Sequence, residues 1–177
     1  MREITGDAVE QPISFFTARP SGVEPAAPER KGRFHAMAKP IGSTCNIDCT
    51  YCYYLHKEHL LDQHRGRRME SSMLERYIRQ YIEAQNGAEI IFSWQGGEPT
   101  MLGIDFFRDI VDIQKRYAPM GRRISNDLQT NGTLLDDDWC LFLKQNNFLV
   151  GVSIDGPREL HDSFRMDRKG QPTFDAC

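Results

Sequence analysis

Apolar residues recur along this chain at two alternating periods. Met73, Tyr77, Ile78, Tyr81 and Ile82 fall at helical spacing and predict a helix over about 70–85. Glu89 to Trp94 is a compact apolar run of strand length. Ile104, Phe107, Ile110 and Val111 mark a second helix, which must end before Pro119. Arg123 to Gln129 reads as a strand. Leu135, Trp139, Phe142 and Leu143 line one face of a third helix, and Asp136 to Asp138 suit its electropositive N-terminal end. From Phe148 to Ile154 the alternation of Val150, Val152 and Ile154 predicts a further strand. Ahead of these elements, Phe34 to Lys39 reads as a first strand, stopped by Pro40 and Gly42.

The order is βαβαβαβ, which predicts an α/β fold with a parallel sheet and right-handed crossovers. Residues 1–32 stand apart. Pro12, Pro20, Pro25 and Pro28 break any helix there, and Ser21-Gly22 adds freedom, so a flexible tail is expected before a core domain over 33–177. Within the tail, the run Ile13-Ser14-Phe15-Phe16 is short enough to dock on the body.

Composition narrows the partners. The chain has 177 residues with 40% hydrophobic and 27% charged content, enough for one domain with a core. A net charge of -3 gives no electrostatic case for nucleic acid or an anionic membrane. No apolar run approaches the roughly 20 residues of a membrane span. The N-terminus carries Arg2, Glu3, Asp7 and Glu10 and has no apolar signal core, so a cytoplasmic location is expected.

The five cysteines carry the chemistry. An odd count without a secretory signal argues against a disulfide framework. Cys140, inside Trp139-Cys140-Leu141-Phe142-Leu143, reads as a buried core thiol. Cys177 has no readable role. Cys45, Cys49 and Cys52 form a C-x3-C-x2-C loop that can reach one metal centre with only three ligands. A structural zinc site closes with four. A [4Fe–4S] cluster usually takes four thiolates, so three leave one iron open to a substrate. The rival is a zinc site completed by His56, His59 or His64.

Ligands of open parallel sheets sit beyond the carboxyl ends of the strands. The cysteine loop, Gly96-Gly97-Glu98-Pro99, Thr130-Asn131-Gly132 and Ser153-Ile154-Asp155-Gly156 all fall at those ends. Four motifs at one rim describe one site, and the glycine-rich rim weighs against zinc. Asn131 reads as turn chemistry before Gly132. His35, His56, His59, His64 and His161 receive no catalytic role.

With these motifs on view, the sequence resembles the radical S-adenosylmethionine (SAM) enzymes. More narrowly it is similar to the N-terminal part of the anaerobic sulfatase-maturating enzymes. The carriers are Lys39-Pro40-Ile41-Gly42, Cys45 to Tyr54, Ser93-Trp94-Gln95-Gly96-Gly97-Glu98-Pro99-Thr100, Leu128-Gln129-Thr130-Asn131-Gly132, Ser153-Ile154-Asp155-Gly156-Pro157 and His161-Asp162-Ser163-Phe164-Arg165. The resemblance implies a partial (β/α)6 barrel, cut short after about four parallel strands. It implies a [4Fe–4S] cluster on Cys45, Cys49 and Cys52, whose open iron chelates the amino and carboxylate groups of SAM. One electron then splits a C–S bond and frees a 5′-deoxyadenosyl radical, which needs the low end of the about −700 to +450 mV range of such clusters.

The same resemblance sets Tyr51 near the adenine, with a packing role as the plainer reading. It sets Gly96 and Gly97 against the SAM amino group with Glu98 beside them, and Ser153 and Arg165 at the SAM carboxylate and ribose. Arg165 is chemically apt for a carboxylate, although Arg158, Arg165 and Arg168 could equally be surface residues. Gln95 and Tyr54 are expected to face substrate. The whole enzyme implied here takes hydrogen from Cβ of a sulfatase Cys or Ser and oxidises that residue to Cα-formylglycine. Its electron donor would be a flavodoxin or ferredoxin. Its catalytic base lies in a Cys-rich C-terminal (SPASM) region with no counterpart in this sequence, so no residue here is assigned as catalytic. An N-terminal fragment, incomplete in catalysis by itself, is the resulting expectation. Two alternatives stay open: a radical SAM peptide maturase forming a thioether or another crosslink, and a non-catalytic zinc-binding remnant.

Overall fold

The computed structural model describes residues 32–54 and 68–177. Its elements are β1 (Met37–Ala38), β2 (Ile47–Cys49), α1 (Ser71–Ala84), β3 (Glu89–Trp94), a 3-10 turn (Pro99–Leu102), α2 (Ile104–Tyr117), β4 (Arg123–Thr130), α3 (Asp137–Gln145), β5 (Phe148–Val152), α4 (Arg158–Phe164), β6 (Arg165–Asp167) and a second 3-10 turn (Phe174–Ala176). Four strands form a parallel sheet in the order β1-β3-β4-β5. The order follows the sequence without reversing, as in a barrel wall rather than a doubly wound sheet.

The pleat sorts the two faces. Ile90, Phe92 and Trp94 of β3 point to the helices and are buried. Leu74, Ile78, Tyr81 and Ile82 of α1 and Phe107 and Ile110 of α2 cover them. Trp139, Phe142 and Leu143 extend the same core from α3. Aromatic contacts run through it: Tyr81 to Phe92 at 4.9 Å and Phe107 to Trp139 at 5.1 Å between centroids. The buried amides inside are paired. Asn126 accepts from Trp94 Nε1 at 2.9 Å and exchanges two bonds of 2.8 Å with Gln114. Asp136 caps α3 by accepting from the Trp139 amide at 2.9 Å.

Several expectations need correction. The first strand is two residues long, not six. The groups before it bond to side chains of α1 and its C-cap instead: Tyr81 donates to the Phe34 carbonyl at 3.2 Å, and Gln85 Nε2 does so at 2.7 Å. Gly32 is bonded through its backbone to Ala84 and Asn86. The remainder of the expected tail, with Ile13–Phe16, lies outside the described residues. Cys140 is exposed rather than core, because Trp139, Phe142 and Leu143 fill the inward arc of α3 and Cys140 falls about 100° round from Trp139. The last strand of the sheet stops at Val152, and Val152 and Ile154 are exposed on an edge.

One element was not foreseen. β2 pairs antiparallel with β6, in the register Ile47↔Asp167, Asp48↔Met166 and Cys49↔Arg165. Among the described residues, no helix is long and apolar enough to cross a membrane.

Replacing Phe92 by Ala is expected to remove about 3–5 kcal/mol of stability, the usual range for a fully buried Phe. Urea unfolding of the purified chain measures it, and a loss under about 1 kcal/mol would refute this packing centre.

Candidate functional site

The cysteine loop is fastened on two sides. Buried Ile47 anchors β2, and the Thr50 amide donates to the Phe164 carbonyl at 3.0 Å, extending the ribbon with β6. A turn closed by Cys52 N to Cys49 O at 3.0 Å brings the third thiol round. On the other side, Asn46 Nδ2 donates to Thr133 Oγ1 at 2.8 Å, and its Oδ1 accepts from Asn131 Nδ2 at 2.9 Å. Asn131 Nδ2 also stands 3.7 Å from Cys45 Sγ. Asn131 thus does both jobs: its Oδ1 closes the turn by accepting from Thr133 N at 3.0 Å, and its Nδ2 faces the thiol loop.

The Gly96-Gly97 turn packs against that loop. Gly97 has φ +43°, and a Cβ there would lie 2.0 Å from the Thr44 carbonyl oxygen. Gly96 has φ +91°, and its Cβ would meet Lys39 at 2.8 Å. The lost side chains therefore admit the segment that leads into the cysteine loop. Next in line, the Glu98 amide donates to Thr44 O at 2.8 Å. The resemblance sets the Glu98 carboxylate beside a SAM amino group, but the structure turns it inward. Glu98 is 0% exposed. Its Oε1 accepts from Thr100 N, Thr100 Oγ1 and Thr130 Oγ1 at 3.0, 2.7 and 2.7 Å, and its Oε2 from Asn131 N at 2.7 Å. This carboxylate braces the rim from behind.

Arg165 does reach the site. Its Nη1 stands 3.9 Å from Cys49 Sγ, and its Nε is ion-paired with Asp155 Oδ2 at 3.1 Å. Tyr51 donates to the same Asp155 oxygen, and the guanidinium lies 5.5 Å over the Tyr51 ring. Burial opposes ionisation of Asp155, yet Tyr51 and Arg165 hold its carboxyl below its ordinary value. Tyr51, Asp155, Leu160 and Phe164 line a cavity of about 390 Å³. Burial raises the Cys45 thiol. It pushes Cys49 up to about 11 even though Arg165 works the other way. Binding a metal there must release those protons.

Ser153 sits on the rim, accepting from Gln129 Nε2 at 2.8 Å. Gln95 opens on a different space, a cavity of about 470 Å³ on the sheet face away from the helices. That face carries a polar line the sequence did not disclose: His35 Nε2 to Ser93 Oγ at 2.6 Å, then Ser93 to Asp127 Oδ2 at 2.7 Å. Tyr54 lies under the Lys39 ammonium, 4.5 Å from its ring centroid, and edge-on to Tyr53. His161 is fully buried against Thr173 and Phe174, a packed residue. Sequence reasoning passed over Asp155 and Asn46, although both lie inside quoted motifs.

The thiol set fits an iron–sulfur cluster. Three partly exposed free thiols occupy one loop, and Cys49 feels the charges of both Cys45 and Cys52. A [4Fe–4S] cluster takes each of the three thiolates on a separate iron. His56, His59 and His64, the ligands of the zinc alternative, lie outside the described residues.

Comparison with known proteins agrees with this chemistry. The model of the Radical SAM superfamily matches residues 40–176. A serine-type anaerobic sulfatase-maturating enzyme of Bacteroides thetaiotaomicron is 46% identical over 140 residues, 79% of this chain and 34% of that protein. A cysteine-type anaerobic sulfatase-maturating enzyme of Clostridium perfringens is 41% identical over 142 residues, 78% of this chain and 37% of that protein. The solved structure of native anSMEcpe with bound AdoMet aligns with a TM-score of 0.69 at 40% identity, over 78% of this chain and 37% of that one. The chain spans about a third of the length of the curated relatives it matches.

Replacing Gly97 by Ala is expected to displace the Thr44 backbone and leave most of the protein without iron after anaerobic reconstitution. Gly103→Ala, also at positive φ but with open space around it, controls for strain alone. Iron and sulfide assays compare them, and equal loading would refute the packing argument. Glu98→Gln turns one acceptor into a donor among four donors and is expected to cost about 2–3 kcal/mol in urea unfolding.

Proposed function

Because this chain belongs to the radical SAM superfamily, we propose that it is the cofactor-binding portion of an anaerobic sulfatase-maturating enzyme. The reaction it serves is the oxidation of a sulfatase Cys or Ser to Cα-formylglycine. The observation that carries this reading is the placement of Cys45, Cys49 and Cys52 at the carboxyl rim of a parallel sheet, beside the Tyr51–Asp155–Arg165 group. The identities of 46% to a serine-type and 41% to a cysteine-type relative lie close together, so the proposal covers both substrates.

In this reading Cys45, Cys49 and Cys52 hold a [4Fe–4S] cluster. With SAM bound, that cluster supplies a 5′-deoxyadenosyl radical. Tyr51 offers its ring to the adenine within the cavity it shares with Leu160 and Phe164. Arg165 presents a guanidinium to the SAM carboxylate and Ser153 a hydroxyl close by. Gly96 and Gly97 offer backbone carbonyls to the ammonium group, while Glu98 fixes those carbonyls without touching the cofactor. Gln95, in its separate cavity on the inner face, is the substrate-facing residue, with Tyr54 at its edge. The domain runs from about residue 33 through 177 and works in the cytoplasm, where thiols stay reduced. A flavodoxin or ferredoxin supplies the electron.

Anaerobic reconstitution of the full-length protein that contains this chain tests the proposal. The expected result is a brown, oxygen-sensitive protein that converts SAM to 5′-deoxyadenosine in the presence of a sulfatase peptide. Alanine at Cys45, Cys49 or Cys52 should abolish the product and lower the iron and sulfide content. A colourless protein that retains zinc would overturn the reading.

A further inference from the structure

We propose that Arg165 sets the reduction potential of the centre held by Cys45, Cys49 and Cys52, through direct donation from its guanidinium to the Cys49 sulfur. This rests on the cluster assignment above and adds to it a function that operates before SAM binds.

The contact is written into the backbone. Cys49 and Arg165 are direct cross-strand partners in the β2–β6 ribbon. The Thr50 amide bonds the Phe164 carbonyl at 3.0 Å, so the ladder is closed on the flanking pair as well. Side chains of directly opposed residues leave a ribbon on the same face. Cys49 and Arg165 therefore meet because of register rather than chance rotamers. Nη1 stands 3.9 Å from the sulfur, within reach of an N–H···S bond.

The other end of the side chain is held too. Asp155 Oδ2 pairs with Nε at 3.1 Å, and Tyr51 donates to that same oxygen. Asp155 is thus a positioning residue: it aims the planar fork, whose five N–H groups can serve Asp155, Cys49 and a further acceptor together. The Arg165 side chain is only 13% exposed and that of Asp155 24%, so water screens the charge weakly.

Hydrogen bonds to sulfur and nearby charge are among the levers that set an iron–sulfur potential. Reduction adds an electron to a centre already ligated by anionic thiolates. A cation beside one of them stabilises the reduced form and raises the potential. Asp155 offsets part of that charge while fixing its direction. The neutral Asn131 Nδ2 beside Cys45, at 3.7 Å, is the weaker counterpart on the opposite side.

The test uses the cluster-loaded full-length protein without SAM, so that any role of Arg165 at the SAM carboxylate drops out. EPR-monitored redox titration follows the signal that disappears on Cys49→Ala and compares the native protein with Arg165→Gln and Arg165→Lys. The midpoint of Arg165→Gln is expected to move to more negative potential, with Arg165→Lys between it and the native value. An unchanged midpoint in Arg165→Gln, with iron and sulfide content intact, overturns the proposal. If Arg165→Gln does not load iron, Arg165→Lys decides alone: a more negative midpoint supports it and an unchanged one refutes it. A native protein that never acquires the cluster would defeat the functional reading instead, so the two failures are distinct.

Discussion

The rim of this protein is joined at one buried carboxylate. Glu98 receives hydrogen bonds from the 3-10 turn that follows it and from the end of β4, while its own amide holds the cysteine loop through Thr44. An enclosed carboxylate without partners would be strongly unfavourable, and four donors offset its desolvation. Three segments distant in sequence are thereby locked to one point. The thiol loop owes its place on the sheet to this lock and to the glycine turn pressed beneath it.

A second constraint gives the sheet two unlike faces. The helix-facing residues of β3 and β4 make a continuous aromatic and aliphatic core. The opposite face carries His35, Ser93, Asp127, Gln95 and Gln129. Barrel interiors of the eight-stranded kind are commonly filled by branched aliphatic side chains. Here polar side chains share the inner wall with Met37 and Leu149 and leave a cavity open next to the rim. Gln129 lies across Gly151, where a Cβ would come within 2.4 Å of its Oε1, and so reaches Ser153 at the rim.

The sheet and its helices were legible because each buries one stripe. Glu89–Trp94 begins and ends where its apolar run does, and α1 and α2 fall within two residues of the periodicity. The thiol loop was legible from its C-x3-C-x2-C spacing. What stayed hidden has a common cause. A three-residue strand such as β2 is too short to show a period, and nothing in a linear pattern pairs Ile47 with Asp167. The inward turn of Glu98 depends on Thr130 and Asn131, over thirty residues on. Cys140 misled for a local reason: an apolar neighbourhood does not reveal which side of a helix a residue takes. Asp155 was quoted as part of a turn motif, while its work depends on Tyr51 and Arg165, each brought in from another element.

The β2–β6 ribbon also orders events in time. Cys49 and Arg165 are separated by 116 positions, and ribosomes add about 5–20 residues per second. The thiols thus emerge roughly 6–23 s before their partner strand exists. During synthesis the sheet can assemble from consecutive neighbours, each strand closing against the one just made. The cysteine loop waits for this late segment, so its thiols lack their β6 partner until Arg165 has been made. The pairing of β2 therefore belongs to the last stage of the fold's assembly.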